Sequence, residues 1–570
     1  MLRLIALALL FLAPAAGLGC LVTPIEPADL VLLNGKVVTL DPERPEAEAV
    51  AVLGGVIVAT GTTEEIRRRV GSETTVIDLD GRLATPGLIE SHAHLSGLGE
   101  ARLSLDLSQA RSWSEIVDLV AEAASKRPAG EWIVGRGWHQ EKWDAPPDPS
   151  FQGLPLHDSL SERTPDNPVL LVHASGHACI ANRRAMEQAG VTTATPDPEG
   201  GRILRNASGR ITGVFQEAAQ DLIRRALDRT LAERSEEEAA AHRRRIVELA
   251  ARECLSKGIC TFHDAGTSFE YLETLKELAA DGELPLRLYC MLGEPDERLA
   301  DRLASLKLIG FGHDHLTVRA IKRYADGALG SRGAWLLEPY SDLSSSLGLP
   351  TEEFTELRHS AELAAQNGFQ LCTHAIGDRA NREVLDIYEA AAARYPAVAG
   401  ARWRIEHAQH LDPQDIPRFH LLGVVAAMQA VHATSDGPWV VSRIGEERAR
   451  RGAYVWRSLL DTGAVICNGT DAPVEDVDPI PSFYAAVTRR TKQGEPFFPE
   501  QCMTREEALR SYTLAGAYAA FEEGLKGSLE PGKLGDITVF SRDLLTVPEA
   551  EILGTRVDYT IVGGRVLYQR

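Results

Sequence analysis

The chain has 570 residues and a formal net charge of −21, from 60 Lys and Arg against 81 Asp and Glu. Hydrophobic residues make up 44% and charged residues 25%, the balance of a folded globular protein, which excludes a chain disordered throughout. The acidic surplus repels phosphate backbones, so nucleic-acid binding by charge is excluded as well.

The first segment reads as an export signal. Arg3 precedes the apolar run LIALALLFLAPAA, too short for an ordinary membrane span but suited to a signal-peptide core. The run ends at Gly-Leu-Gly-Cys, which resembles a bacterial lipoprotein processing site with Cys20 as the lipidated first residue. The expectation is therefore a signal-peptide segment over residues 1–20, cleaved before Cys20 if that residue is lipidated, and an exported protein. It is periplasmic or membrane-anchored through that lipid, with plain secretion as the alternative. The eight cysteines form no CxxC pair. Cys290, Cys372 and Cys467 sit in apolar strand-like runs and read as buried free thiols.

Residues 28–78 hold short Val/Ile/Leu runs separated by Asn-Gly and Gly-Gly turns, and the C-terminus repeats that texture in GDITVFS and DYTIVGGRVLYQR. One β-sandwich domain built from residues 21–85 and 521–570 follows. Residues 86–520 alternate strand-like with Ala/Leu-rich helical stretches. Eight strands are predicted: LATPGLIESHAHL, GICTFHDAG, PLRLYCMLG, LTVRAIKRYAD, FQLCTHAIGD, RWRIEHAQ, GVVAAMQAV and AVICNGTDAP. The fold class is α/β, a (β/α)8 TIM-type barrel. Residues 101–216, rich in Gly, Pro and Trp, form an insert expected to be loop-rich and to cap the barrel mouth.

The chemistry concentrates at strand ends. His92 and His94 are alternate residues closing the first strand, so both imidazoles face one side. His374 ends the fifth strand, His407 the sixth and Asp471 the eighth. Singly, each has a bland reading: a histidine bonded to backbone, or an aspartate capping a helix. Together, at the barrel face that carries active sites, four imidazoles and a carboxylate read as a metal centre. No GxSxG elbow is present, so no covalent serine is required.

These motifs resemble the amidohydrolase superfamily, and more narrowly amidohydrolase family 3, the branch containing N-substituted formamide deformylase. The resemblance runs through TPGLIESHAHL, WIVGRGWHQEKW, SGHACIAN, PDPEGGRI, IKRYADGALGSRGA, HAIGDRAN, RIEHAQHL, NGTDAPVEDVDP, SYTLAGAYAAFEE and KGSLEPGKLGDITVF, from residue 28 to the C-terminus. It implies that His92 and His94 bind a first metal and that His374 and His407 bind a second. It further implies that Lys322 is a carboxylated lysine bridging the two, and that Asp471 is both ligand and base. The implied cofactor is a divalent metal, one or two per chain; the His/Asp ligands favour zinc, with manganese, iron and cobalt left open. The implied reaction is hydrolysis of the C–N bond of a small linear amide or N-formyl amide by metal-activated water, with Asp471 moving the proton to the leaving amine.

Within the inserted segment His177 is a candidate catalytic donor, and Trp138 and His139 are candidate pocket residues. Asp326 and Arg332 either orient the site or pair with each other. His410 and His432 lie near strand ends and are assigned no role. Two other readings stand beside the leading one: a cyclic-amide hydrolase or heterocycle deaminase on the same barrel, and a non-catalytic binding protein.

Overall fold

A computed structural model describes residues 26–140, 143–174, 177–198 and 200–570. The expected signal segment and Cys20 lie outside the described residues. No helix among those described is long and apolar enough to cross a membrane.

Eight parallel strands form the central sheet, in sequential order. They are β1 (Leu88–Ala93), β2 (Ile259–Thr267), β3 (Arg287–Leu292), β4 (Leu316–Tyr324), β5 (Gln370–Ala375), β6 (Arg404–His407), β7 (Val425–Met428) and β8 (Ile466–Asn468). Each corresponds to one of the eight predicted runs. Their near-continuous burial is what a parallel sheet covered on both faces demands. Helices such as Glu236–Ser256, opened by the Ser235/Glu238 capping box, pack outside.

The barrel seam runs between β1 and β8. There the Asp471 N–H donates to His92 O at 2.8 Å and the His94 N–H to Ala472 O at 2.8 Å. Glu90 reinforces the seam: its carboxylate accepts from the N–H groups of His92 and Thr470, at 3.0 and 2.9 Å. Burial pushes the Glu90 carboxyl up to about 8. A Cβ on Gly469 would come 2.2 Å from Glu90 Oε1 and 2.6 Å from His92 N, so only glycine fits there.

Two further sheets are built from the chain ends. Strands Leu30–Leu33, Ala49–Leu53, Val56–Gly61 and Thr75–Asp78 form one. The other mixes Lys36–Val38, Glu46–Ala47 and Leu83–Pro86 with the C-terminal strands Ile537–Phe540, Val557–Val562 and Arg565–Gln569. A shared apolar core joins them, with Leu32, Val50, Ile537 and Ile561 all buried.

The inserted segment is more ordered than its composition suggests. It carries a six-stranded mixed sheet from Leu105–Asp106 to Ile211–Glu217. Its Trp content builds a core: Trp113, Trp138 and Trp143 are buried together. All seven described cysteines are free, and six are buried.

Candidate metal centre

Barrel strands deliver their last side chains to one end, and that geometry assembles the site. Ligand atoms of His92, His407 and Asp471 lie within 4.8 Å of one another, and all three residues are buried. His94 Nε2 lies 3.1 Å from Asp471 Oδ1. The rings of His374 and His407 are 4.4 Å apart, edge to face. The structure therefore brings together every strand-end histidine and the aspartate named from sequence. Its tightest triplet links β1, β6 and β8, joining ligands that the resemblance divides between two metals.

His407 and Asp471 sit at φ 75° and 60°, in the left-handed region. Such backbone costs about 1–3 kcal/mol per residue and persists where the surroundings impose it. At Asp471 the imposing contact is the bond to His92 O across the seam.

Partners behind the rings set which nitrogen is free. His92 Nδ1 faces the Glu406 carboxylate, which only accepts, so Nδ1 carries the hydrogen and Nε2 the lone pair. Glu406 is itself held by Arg404, at 2.7 and 2.8 Å. Behind His407, Gln429 donates its amide to Ala427 O at 3.0 Å and so offers Oε1 to His407 Nδ1 at 2.7 Å. Both histidines thus present a bare Nε2, as a metal ligand must.

Electrostatics agree. Burial pushes His374 down to about 3, helped by Lys322, and burial with His374 holds His407 well below the usual range. Both rings are neutral at pH 7. Burial alone would raise Asp471, but the close approach of the His92, His94 and His407 rings holds it well below the carboxylate range. Among the described residues His92 Nε2, His374 Nε2 and Lys322 Nζ are buried without a hydrogen-bond partner. A cluster of unpartnered buried atoms calls for an explanation, and a bound cation is one. Neutral imidazoles, an ionised carboxylate and orphaned atoms aimed together fit a divalent cation.

Lys322 is 1% exposed and its Nζ lies 4.6 Å from the Tyr324 ring centroid. Burial pulls its amine below the usual value, against the pull of Glu406 and Asp471. A depression of about 540 Å³ opens beside Lys322 and Tyr324, lined also by Glu294, Glu352 and His359.

His177 stands directly before the inserted strand Ala178–Ala181, and its Nδ1 meets Glu217 at 3.0 Å. There it lines a depression of about 620 Å³ with His173 and Gln216. Trp138 is a core residue rather than a pocket wall: fully buried, it donates to Leu171 O. His139 packs against His173, ring centroids 4.6 Å apart. Asp326 and Arg332 do not pair with each other. Asp326 accepts from the N–H groups of Trp335, Ile376 and Gly377 and sits 3.6 Å from His374 Nε2. Arg332 binds Asp342. His410 packs on Tyr454. His432, by contrast, enters the site, with Nε2 4.0 Å from Asp471 Oδ2.

Sequence reasoning missed Arg404, Glu406, Gln429 and Tyr324. Arg404 and Glu406 carried a usable signal: two charges at strand period inside an apolar barrel strand point inward.

The amidohydrolase family model matches residues 75–568. The chain belongs to the amidohydrolase family. Among amidohydrolase relatives, the putative amidohydrolase YtcJ of Bacillus subtilis is 33% identical over 547 residues, 94% of this chain and 99% of its own. The N-substituted formamide deformylase of Arthrobacter pascens is 29% identical over 554 residues, 95% of this chain and 98% of its own. An uncharacterized metal-dependent hydrolase from Pyrococcus horikoshii superposes with a TM-score of 0.72 at 27% identity, covering 91% of this chain and 99% of that one.

Proposed function

We propose that this amidohydrolase-family hydrolase cleaves the C–N bond of a small linear amide, N-formyl amides included. The observation that carries the reading is the His92–His407–Asp471 cluster, with both histidines holding a bare Nε2 toward the carboxylate. The full-length likeness to a formamide deformylase supports the substrate class.

His92, His94, His374, His407 and Asp471 would hold one or two cations, with a carboxylated Lys322 as a further ligand. A divalent cation, zinc by this donor set, supplies Lewis acidity and brings the ionisation of water into the neutral range. Asp471 stays ionised and takes the proton of the attacking water through Oδ2. The water oxygen forms its bond to the acyl carbon as the carbonyl pair moves onto oxygen. When the C–N bond breaks, Asp471 returns the proton to the leaving nitrogen. Glu406 and Gln429 keep the imidazoles in one tautomer throughout.

The test is a panel of N-alkyl formamides, N-alkyl acetamides, a hydantoin and an aminopurine, offered to zinc-loaded protein. Release of amine and carboxylate from the linear amides is expected, and Asp471→Asn should abolish it while the variant stays folded. Turnover confined to the hydantoin or the aminopurine overturns the proposal.

A further inference from the structure

We propose that His432 is a further catalytic residue, which donates its Nε2 hydrogen to the acyl oxygen as that oxygen gains charge. This rests on the hydrolase reading above and adds a group that the ligand set does not contain. His432 stands in the first turn of the helix Ala430–Ile444, which begins directly after β7 and points its N-terminal end at the site. The residue is 7% exposed; its ring lies near-parallel to that of His407 at 15°, with its centroid 6.3 Å away. Nε2 lies 4.0 Å from Asp471 Oδ2 and, among the described residues, has no hydrogen-bond partner.

The polarity behind the ring distinguishes His432 from the ligands. His92 and His407 each turn Nδ1 toward an acceptor, Glu406 and Gln429 Oε1, which leaves Nε2 bare. His432 turns Nδ1 toward a donor, the side-chain amide Nε2 of Gln409 at 3.1 Å. A neutral imidazole that accepts at Nδ1 carries its hydrogen on Nε2. His432 therefore presents an N–H 4.0 Å from Asp471 Oδ2, where its neighbours present lone pairs. A metal ligand needs the lone pair; a stabiliser of developing negative charge needs the N–H. The positive end of the helix acts in the same direction.

The step balances without proton transfer from His432. Water adds to the acyl carbon and the carbonyl pair moves to oxygen, where the His432 N–H bonds to it. That pair then re-forms the carbonyl as the C–N bond breaks, and the amine leaves with the proton carried by Asp471. The hydrogen of His432 stays on Nε2.

The first experiment needs no turnover. Nitrogen-15 spectra of histidine-labelled protein, with the His432 signals assigned by their loss in H432F, should show Nε2 protonated and Nδ1 accepting. The Nδ1-protonated tautomer overturns the proposal. The second uses zinc-loaded protein and methylphosphonate as an anionic tetrahedral probe. His432→Phe should weaken its binding about 10-fold or more with metal content unchanged, and His432→Gln, which keeps an N–H, should recover part of the loss. Equal binding, or loss of metal in the Phe variant, overturns the role. On the best amide of the panel, His432→Phe should lower kcat by about 10²–10³ with KM within a few-fold. Unchanged kcat there, beside an inactive Asp471→Asn, defeats this inference and leaves the hydrolase reading standing. A wild-type enzyme that hydrolyses no amide defeats the hydrolase reading, while the tautomer and the probe still decide the role of His432.

Discussion

Glu406 takes the Nδ1 hydrogen of His92 inside the barrel wall, and both side chains are wholly buried. Arg404, on the same strand, binds both oxygens of that carboxylate and also donates to Ser91 O at 2.7 Å. Burial would raise Glu406, but Arg404 and His92 together hold it far below the usual carboxylate range. The carboxylate therefore stays charged and fixes the ring of His92.

Replacing it separates orientation from ligation. In Glu406→Gln the amide can still meet His92, but Arg404 keeps its charge with no counter-ion in a fully buried position. Metal affinity should fall about 10- to 100-fold, as when such a supporting partner is lost. Stability should fall by about 3–5 kcal/mol for the orphaned charge. Metal titration against a chelator and thermal melting read the two effects. Unchanged metal affinity in a folded variant would contradict the orienting role.

This supporting layer was the least legible part of the site. The barrel could be read because eight apolar runs recur with helices between them, and the ligands because histidines and Asp471 close those runs. Gln429 and Gln409 carry no such signature. Each is a single amide beside a histidine, and its meaning depends on which of its two atoms faces the ring. For Gln429 that is fixed by Ala427 O, far from visible in a string of letters. His432 was set aside for the same reason. Its place after β7 was plain, but its approach to Asp471 depends on how the barrel closes. The inserted segment misled in another way: its Gly and Pro read as loops, while the Trp residues that organise its core are scattered from 113 to 143.

Lys322 yields a prediction about stoichiometry. A buried amine with no hydrogen-bond partner is costly as an ammonium, and a lowered pKa leaves more of it as the free base that carbon dioxide can carboxylate. Native mass spectrometry of protein purified in bicarbonate should find the added carboxyl and two metals per chain. Lys322→Ala should hold one metal, and added formate or acetate should restore part of the second by placing a carboxylate in the vacated space. Two metals in Lys322→Ala without added carboxylate would remove the bridge from the scheme.

Gly469 tests the seam. Its missing Cβ leaves room for Glu90 Oε1 and for the backbone N of His92, and the backbone cannot give way as a flexible side chain can. Gly469→Ala should cost about 1–3 kcal/mol, the usual penalty for overpacking. It should also lower metal affinity, because the push falls on the strand that presents His92 and His94. Melting and metal titration of the variant check both. A fully stable variant with normal metal uptake would mean that β1 and β8 move apart freely.

The link between the barrel and the terminal sheets sets an acid limit on stability. Arg287, opening β3, binds both oxygens of Asp536 at 2.7 and 3.0 Å, and Asp536 also accepts the Gly563 N–H at 2.8 Å. Burial raises the Asp536 carboxyl, but Arg287 outweighs it and the net shift is downward. A carboxylate depressed by folding stabilises the native state fully above its unfolded value, about 3.9. That contribution is lost as pH falls through the lower, folded value, while Arg287 stays charged throughout. Asp536→Asn should cost about 3–5 kcal/mol at pH 7, leaving the guanidinium buried without a counter-charge. Arg287→Met with Asp536→Leu should restore most of it and flatten the decline in melting temperature below about pH 4. Equal acid sensitivity in wild type and double variant would place the acid-labile contact elsewhere.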